Sequence, residues 1–249
     1  MLSISSSSHE LEHRCRLIES TRSIRDISSI PIDKDHQFDS SNHSICYIVK
    51  DSSGLHKWNR HTRSLLLSSH GTIHNISVLY LKRPRTYGMR EMVDSDTRLW
   101  RVDHAHDPYL QSVRGIFLLP IILKAIPLYS KYEEANALFF GLAGGGTSMY
   151  LRFQRPKMNI TVVEEEKDVI DLSKRWFGLV EDSRYSIIND KADNFLSQAV
   201  NNKSLYDIVV MDWLDSNDLP ISARLLVSDI PLLASQLLSK TGVFVVHLS

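Results

Sequence analysis

After Glu134 the sequence repeats one pattern, a short apolar run followed by a segment with helical periodicity, and this repetition constrains the fold more than any other feature. The apolar runs predict strands and the segments between them predict helices. The predicted strands lie in ALFFG, NITVVE, YSIIN, YDIVVMD and GVFVVHL, and the predicted helices in TSMYLRFQ, DVIDLSKRWFG, ADNFLSQAV and ARLLVSDIPLLASQLLS, the last with a bend at Pro231. Runs this apolar are typical of parallel strands that are buried on both faces and joined by right-handed crossovers. We therefore predict an α/β fold with a Rossmann-like, doubly wound, mostly parallel sheet.

Changes in composition along the chain divide it into three predicted segments. Residues 1–43 are rich in Ser, Arg and Asp, and we expect them to be poorly structured. Residues 44–112 carry the β-prone runs SICYIVK, RSLLLSS and ISVLYLK, with turn residues at Asp51–Gly54, and predict a small antiparallel β-hairpin module. Residues 113–249 form the predicted larger domain, which starts with an apolar helical stretch, Val113–Leu128, that we expect to be buried in the core.

The overall charge and composition exclude several classes of partner. The 29 basic and 29 acidic side chains cancel, so no global field favours nucleic acid or an anionic membrane. The 2 cysteines are too few for a disulfide framework, and no run reaches the roughly 18 apolar residues of a membrane span. We therefore expect a cytoplasmic protein with no nucleic-acid or membrane partner. The short basic run KRPR, Lys82–Arg85, is interpreted as a solvated turn.

The four glycines of GLAGGG, Gly141–Gly146, lie in the predicted turn from the first strand of the sheet into its first helix. Glycine lets backbone N–H groups approach a ligand and tolerates a positive φ angle. Ligands of this fold bind beyond the carboxyl ends of the strands, at the switch point beside the first strand. We therefore predict that this turn binds a cofactor, through Gly141, Ala143, Gly144 and Gly145.

Acidic residues end the next three predicted strands. Glu164 follows the glycine turn by about 20 residues, where a dinucleotide fingerprint has an acid that accepts hydrogen bonds from a ribose. Asp190 and Asp212 end the third and fourth strands, although each acid taken singly is also a common helix N-cap. Because the turn has Ala143 at the second glycine position and no evident basic residue for a pyrophosphate, a nucleoside without phosphates fits better. S-adenosylmethionine is a cofactor of this kind.

The motifs FFGLAGGG, ITVVEEEKDVIDLSKRWFG, INDKADNFL and YDIVVMDWLD resemble those of the spermidine synthase-like branch of the class I S-adenosylmethionine-dependent methyltransferases. The resemblance covers Ala137–Ser249, and DHAHDPYL with GIFLLP resembles the segment that leads into the catalytic domain of that group. It implies that Glu164 binds the ribose, that Asp190 binds the adenine, and that Asp212 lies beside the reacting centre. Lys191 and Ala192, which follow Asp190, complete the implied cofactor-binding set.

The sequence departs from that family at positions that bear on the reaction. Polyamine synthases of this fold carry an Asp in the glycine turn that opposes the carboxylate of ordinary S-adenosylmethionine, and Gly144 stands there in this chain. The absence of that Asp favours methyl transfer over aminopropyl transfer, since a like-charge pair about 4 Å apart costs on the order of 1 to 4 kcal/mol. On the other hand, Asp212 and Asp215 keep the Asp-x-x-Asp spacing with which polyamine enzymes handle an amine. Glu165 and Lys191 replace an apolar and a small residue, and Lys191 is placed to crowd the adenine edge.

These observations predict a methyltransferase that acts on an amine, including a lysine or the amino terminus of a protein. Asp212 is expected to orient the amine and Asp215 to help accept its proton, while Trp213 and Tyr109 are interpreted mainly as packing residues. Two alternatives stay open: a polyamine aminopropyltransferase, and a non-catalytic nucleoside-binding module of the same fold. No metal site is predicted, because His104, His106 and Asp107 fit solvated loop residues better than ligands.

The sequence reaches Ser249 directly after the fifth predicted strand of the sheet. Methyltransferases of the resembled class continue there with a helix and an antiparallel strand pair, and a bare strand edge is a template for pairing with another chain. The favoured expectation is a chain truncated after the fifth strand. The alternative is cover of this edge by the amino-terminal module or by a second subunit of a homodimer.

Overall fold

The computed structural model describes residues 46–53, 61–69, 72–82, 100–106, 111–127, 134–212 and 228–247. They cluster into two compact units that divide between Asp103 and His104. The domain limits predicted from the sequence, at residues 43 and 112, stay a prediction. Several sequence-based expectations fall outside the described residues: those on residues 1–43, 83–85 and 248–249 and on Asp107, Tyr109, Trp213 and Asp215.

The first unit contains a four-stranded sheet whose neighbouring strands are all antiparallel. The strands follow chain order and are β1 (Cys46–Ser53), β2 (His61–Ser69), β3 (Thr72–Lys82) and β4 (Arg101–Val102). The predicted antiparallel module is therefore confirmed, but the prediction that a turn begins at Asp51 is wrong. Asp51 lies within β1, where its buried carboxylate accepts two hydrogen bonds of 2.7 Å from the guanidinium of Arg63 on β2.

The second unit contains the predicted doubly wound sheet of five parallel strands. The elements in chain order are α1 (Gln111–Ile122), β5 (Asn136–Phe140), a 3₁₀ turn (Ala143–Gly145), α2 (Gly146–Gln154), β6 (Asn159–Glu164), α3 (Lys167–Trp176), β7 (Tyr185–Asn189), α4 (Ala192–Asn201), β8 (Tyr206–Met211), α5 (Ile230–Gln236) and β9 (Leu238–Val246). The strand order is β7-β6-β5-β8-β9, so β5 is central and the chain moves outward from it first to one side and then to the other.

Both faces of the parallel sheet are buried. On one face, Leu138 and Phe140 of β5 pack in a core with Leu196 of α4 and Ala234 of α5. Since side chains alternate along a strand, Ala137 and Phe139 point to the opposite face, and each is no more than 1% exposed. Burial on both faces explains why these strands read as continuous apolar runs rather than as alternating ones.

Two details of the last helix and strand differ from the sequence-based expectation. The helix predicted through Ser239 ends after Gln236, because Leu238 and Ser239 already belong to β9 and Leu238 pairs with Tyr206 of β8. Pro231 does not bend the helix, since it lies in its first turn, where a missing N–H costs nothing.

Helix α1 differs from the buried helix that the apolar run Val113–Leu128 predicts. Ile116 and Ile126 are buried, but four large apolar side chains of this segment are between 43% and 68% exposed: Leu118, Leu119, Ile122 and Leu123. The prediction that this segment is buried in the core is therefore wrong for that face. No helix in the described part of the chain has the length and hydropathy needed to cross a membrane.

Candidate cofactor and catalytic site at the carboxyl edge of the sheet

The register of the parallel strands brings the predicted site residues into one row. Phe140 pairs with Val163 on one side and with Met211 on the other, so the residues that follow them, Gly141, Glu164 and Asp212, emerge side by side. The outer strands extend the row, because Glu164 pairs with Asn189, and Met211 pairs with Val246, which precedes His247. The row at the carboxyl edge therefore runs Asn189, Glu164, Gly141, Asp212 and His247.

Backbone hydrogen bonds continue past the strand ends and fix this row. The N–H of Gly141 donates to the carbonyl oxygen of Val163, that of Asp212 to Phe140 and that of His247 to Met211, each at 2.9 Å. The three residues are thus held by the same ladder that holds the sheet, so their positions follow from the strands rather than from free loops.

The glycine turn has the backbone conformation that the sequence predicts. The φ angles of Gly141, Gly144 and Gly145 are 96°, 74° and 74°, and Ala143 has a positive φ of 43°. A side chain at Gly145 would also meet Leu179, since a Cβ there would lie 2.0 Å from Leu179 Cδ1. The bare backbone is therefore required by the turn itself, whatever ligand it binds.

The carboxylate of Glu164 connects the end of β6 to the glycine turn. Its Oε2 accepts a hydrogen bond of 2.8 Å from the N–H of Leu142, and its Oε1 accepts one of 2.9 Å from the N–H of Glu166. Burial raises the pKa of this carboxyl above its usual value, although the two N–H donors oppose the shift. Each carboxylate oxygen has a second lone pair, so both are able to accept a further hydrogen bond from a ligand hydroxyl.

The end of β7 supplies a second acidic group in a different setting. Asp190 Oδ1 accepts hydrogen bonds from the N–H of Lys191 at 2.8 Å and from the side-chain amide of Asn194 at 3.2 Å. Lys191 is the N-cap of α4, which begins at Ala192, and its ammonium lies 3.4 Å from Glu165 Oε1. The two unusual residues of the sequence, Glu165 and Lys191, therefore form an exposed ion pair with each other.

Asp212 lies between the glycine turn and the outer strand β9. Its Oδ2 is 3.5 Å from Oγ1 of Thr147 in the first turn of α2, and its Oδ1 is 2.7 Å from Nδ1 of His247. The hydrogen bond and charge of Asp212 raise the pKa of His247 above its usual value, against the opposing effect of burial. This arrangement is an acid–imidazole pair beside the glycine turn.

The histidines of the loop after β4 contribute no metal site among the described residues, where no group of three His, Cys, Asp or Glu side chains has the geometry to hold an ion. His104 donates its Nε2–H to the carbonyl oxygen of Phe177 at 2.8 Å. That carbonyl lies in the turn from α3 towards β7.

The structure adds three residues to the set predicted from the sequence. Asn189 donates its side-chain amide to the carbonyl oxygens of Glu164 and Glu165 at 2.9 and 2.8 Å, which fixes the turn after β6. Thr147 and His247 contact Asp212 from either side. His247 directly follows an apolar strand just as Asp212 does, and this position is the signal in the sequence that could have identified it.

Comparison with known proteins shows that the chain is similar both to methyltransferases and to a polyamine aminopropyltransferase. The eEF1A lysine and N-terminal methyltransferase homolog of Drosophila pseudoobscura pseudoobscura is 27% identical over 123 residues, which are 47% of this chain and 18% of that protein. The polyamine aminopropyltransferase of Buchnera aphidicola is 28% identical over 136 residues, which are 52% of this chain and 45% of that protein. The resemblance predicted from the sequence is confirmed.

The extent of these similarities is partial. Among solved structures, that of human methyltransferase-like protein 13 in complex with SAH covers 53% of this chain and 60% of that chain, with 19% identity and a TM-score of 0.42. No family model matches the chain. The chain matches less than half the length of the curated relatives named above.

Proposed function

We propose that this protein is an S-adenosylmethionine-dependent methyltransferase that acts on an amine. The observation that carries the proposal is the row at the carboxyl edge, in which Glu164 and Asp212 flank Gly141 through the strand register. A carboxylate on each side of a bare backbone turn suits a ligand that has hydroxyl groups at one end and a cationic centre at the other. The similarity to the eEF1A lysine and N-terminal methyltransferase homolog supports the same class of reaction.

The donor set fits a nucleoside cofactor without phosphates. The turn Gly141–Gly146 contains no charged residue, and Gly141, Gly144 and Gly145 have no side chain to stand between the backbone and a ligand. Glu164 would hold the ribose hydroxyls, and Asp190, with Lys191 and Ala192, would line the adenine. Gly141, Ala143, Gly144 and Gly145 would lie against the amino-acid end, where Gly144 places no negative charge opposite a carboxylate.

The acceptor amine must be neutral and in line with the methyl group before it reacts. The cofactor supplies an electrophilic methyl group on a sulfonium, so the protein has to orient the amine and exclude water. Asp212 is suited to orient the amine, because its Oδ2 faces Thr147 at the start of α2 while its Oδ1 is held by His247. Asp215, predicted as a second acid for the proton, lies outside the described residues.

The acceptor class that we propose is an amine of a protein. The relative from Drosophila pseudoobscura pseudoobscura is named for lysine and amino-terminal methylation of eEF1A. Purified eEF1A is therefore the first acceptor to test in this reaction. A second candidate function, aminopropyl transfer, is supported by the similarity to the Buchnera polyamine aminopropyltransferase.

Calorimetry with three ligands separates these functions without knowledge of the acceptor. A methyltransferase should bind S-adenosylmethionine more tightly than decarboxylated S-adenosylmethionine, and an aminopropyltransferase should show the reverse order. Methylthioadenosine measures the contribution of the nucleoside by itself. If none of the three binds, both proposed functions are wrong.

The role of Asp212 is tested by transfer of a labelled methyl group from S-adenosylmethionine to purified eEF1A. Asp212→Asn should leave the dissociation constant of the cofactor nearly unchanged and lower the turnover number, because the amine loses its charged partner. Asp207→Asn is a matched control on the same strand, since Asp207 binds the N–H of Asn136 and the hydroxyl of Ser239 away from the carboxyl edge. Full activity of the Asp212 variant would remove this residue from the mechanism.

A further inference from the structure

We propose that His247 is the catalytic base of this site and that its Nε2 takes the proton from the acceptor amine. The inference rests on the proposed methyl-transfer function and goes beyond it, because neither the sequence motifs nor the names of the relatives assign a role to this residue. It stands on the position of the imidazole in the row and on its contact with Asp212.

The position of His247 is set by the sheet. Its N–H donates to the carbonyl oxygen of Met211 at 2.9 Å, so it directly follows β9 as the neighbour of Asp212 in the row. Asp212 in turn lies next to Gly141 and contacts Thr147 at the start of α2. The imidazole is therefore two positions along the row from the glycine turn, with one carboxylate between them.

The contact between the two side chains selects the tautomer that a base needs. Nδ1 of His247 lies 2.7 Å from Asp212 Oδ1, and an ionised carboxylate only accepts hydrogen bonds, so Nδ1 carries the hydrogen. The lone pair of the neutral ring is then on Nε2, and no hydrogen bond from another described residue reaches that nitrogen. The side chains of His247 and Asp212 are 16% and 20% exposed, so the pair is partly shielded from water yet open to a substrate.

Asp212 also tunes the basicity of the ring. Its hydrogen bond and its charge raise the pKa of His247, and of the described ionisable groups around the ring Asp212 is the one that acts on it. The glycine turn and the adjoining end of β5 contribute no charged side chain. A base with a pKa above that of free imidazole accepts a proton from an ammonium group more readily than free imidazole does.

The reaction balances with these groups. Nε2 takes one proton from the ammonium form of the acceptor, which leaves a neutral amine and an imidazolium that Asp212 stabilises. The nitrogen lone pair of the amine then forms the new N–C bond, and the S–C bond breaks with its electron pair going to the sulfur. The sulfonium becomes a neutral thioether, the product is a methylated ammonium, and the proton on His247 passes to water.

Nuclear magnetic resonance tests the location of His247 without any acceptor. The imidazole nitrogen signals, assigned with His247→Asn, should show a hydrogen on Nδ1 and a pKa above the usual value that falls in Asp212→Asn. With saturating S-adenosylmethionine, the pKa of His247 should be lower than with saturating S-adenosylhomocysteine by at least about half a unit, because the sulfonium is positive and the thioether is neutral. The control is His61 on β2 of the antiparallel sheet, whose pKa should not differ between the two ligands.

The outcomes separate the inference from the proposed function. If both ligands bind and the pKa of His247 is the same with each, the proposed cofactor stands and His247 is not at the reacting centre. If neither ligand binds, the proposed function is wrong and the inference falls with it. A hydrogen on Nε2 in the neutral ring would also overturn the inference.

A second experiment distinguishes a base from a residue that only positions Asp212. In His247→Asn the side-chain amide nitrogen replaces Nδ1 and keeps a donor for Asp212, but the variant has no base, whereas His247→Ala loses both. With purified eEF1A and labelled cofactor, both variants should lose roughly 10²- to 10⁴-fold in kcat with an unchanged KM for S-adenosylmethionine. The fall in wild-type kcat as the pH drops through the raised pKa of His247 should be absent in both. If His247→Asn has wild-type activity, His247 only positions Asp212 and is not the base. If the wild-type protein transfers no methyl group to eEF1A, then eEF1A is not the acceptor, and the resonance experiment still decides the inference.

Discussion

At the scale of single residues, side chains that we propose to bind the cofactor also make structural contacts within the protein. Glu164 accepts two backbone N–H groups and in this way connects β6 to the glycine turn, before any ligand is considered. Lys191, which we propose to line the adenine, is 68% exposed and also forms an ion pair with Glu165. A variant at such a position therefore needs a control that separates folding from binding.

Replacing Glu164 by glutamine should lower both stability and cofactor affinity. One of the two N–H groups now faces an amide NH₂, and an unsatisfied donor costs about 1 to 3 kcal/mol of unfolding free energy. Loss of the charged acceptor should weaken S-adenosylmethionine binding by roughly 1.5 to 3 kcal/mol, about ten- to a hundredfold in Kd. Denaturant unfolding and calorimetry measure the two effects, and Glu134→Gln, at an exposed residue that pairs with Arg184, should leave Kd unchanged.

The pH dependence of cofactor binding provides an independent check on Glu164. Burial raises its pKa, and a ribose-binding carboxylate must be ionised to accept from both hydroxyls. Affinity in the wild type should therefore fall as the pH is lowered through this raised pKa. If Glu164→Gln keeps the same pH dependence, the titrating group is another residue.

Gly144 should determine which form of the cofactor is preferred. Its φ of 74° is accessible to Asp and Asn at a modest cost, and that cost cancels when the two cofactor forms are compared on the same variant. Gly144→Asp should weaken S-adenosylmethionine binding relative to the decarboxylated form by on the order of 1 to 4 kcal/mol, whereas Gly144→Asn should leave the ratio of the two affinities near that of the wild type. Equal ratios in the two variants, measured by calorimetry, would contradict the assignment of Gly144 to the amino-acid end of the cofactor.

At the scale of elements, a glycine in the glycine turn and a glycine in helix α1 differ in whether the structure has room for a side chain. Gly145 has a φ of 74° and a Cβ there would lie 2.0 Å from Leu179, whereas a Cβ at Gly115 would have no atom within 4 Å. The same substitution, glycine to alanine, is therefore expected to have opposite effects on stability at these two positions.

Gly145→Ala should destabilise the protein by at least about 1 to 2 kcal/mol, because the left-handed conformation penalises a Cβ and Leu179 must move. Gly115→Ala should stabilise it by about 0.5 to 1 kcal/mol, since alanine is the better helix former. Both values come from denaturant unfolding of the full chain. A neutral Gly145→Ala would mean that the turn does not hold this conformation in solution.

The buried parallel strands were easier to predict from this sequence than the ends of helices and the positions of turns. NITVVE and YSIIN match β6 and β7 residue for residue, because both are apolar runs bounded by polar residues. The end of α5 was missed since Leu237 and Leu238 continue the helical periodicity, while pairing of Leu238 with Tyr206 decides in favour of a strand. The local sequence predicts a turn at Asp51, because a buried aspartate is unfavourable in a strand unless it is paired. Its partner is Arg63 on the neighbouring strand, and the local sequence does not reveal this tertiary contact.

The candidate site was predictable where it depends on strand ends and not where it depends on cross-strand contacts. Glu164, Asp190 and Asp212 follow from the rule that ligands bind at the carboxyl edge. The pairing of Glu165 with Lys191, and of Asp212 with His247, depends on the register of neighbouring strands and the position of α4, which no short motif encodes.

At the scale of the whole molecule, the described residues of the proposed site all belong to one of the two units. The glycine turn, Glu164, Asp190, Asp212 and His247 lie between His104 and Ser249, and so do all five strands of the parallel sheet. The antiparallel sheet of the first unit has its own buried ion pair between Asp51 and Arg63 and its own apolar core. Cofactor binding should accordingly be a property of the second unit.

Residues 104–249 expressed by themselves should therefore fold and bind S-adenosylmethionine. Ligand at about 100 times Kd stabilises a folded domain by about 2.7 kcal/mol, which for a domain of this size raises Tm by roughly 5 to 10 °C. Thermal unfolding with and without ligand measures the shift, and Glu164→Gln in the same fragment is the control that should lose most of it at the same ligand concentration. A fragment that folds but shows no shift, while the full chain does, would place part of the cofactor site in the first unit. A fragment that fails to unfold cooperatively would instead show that the second unit depends on residues before His104 for its stability.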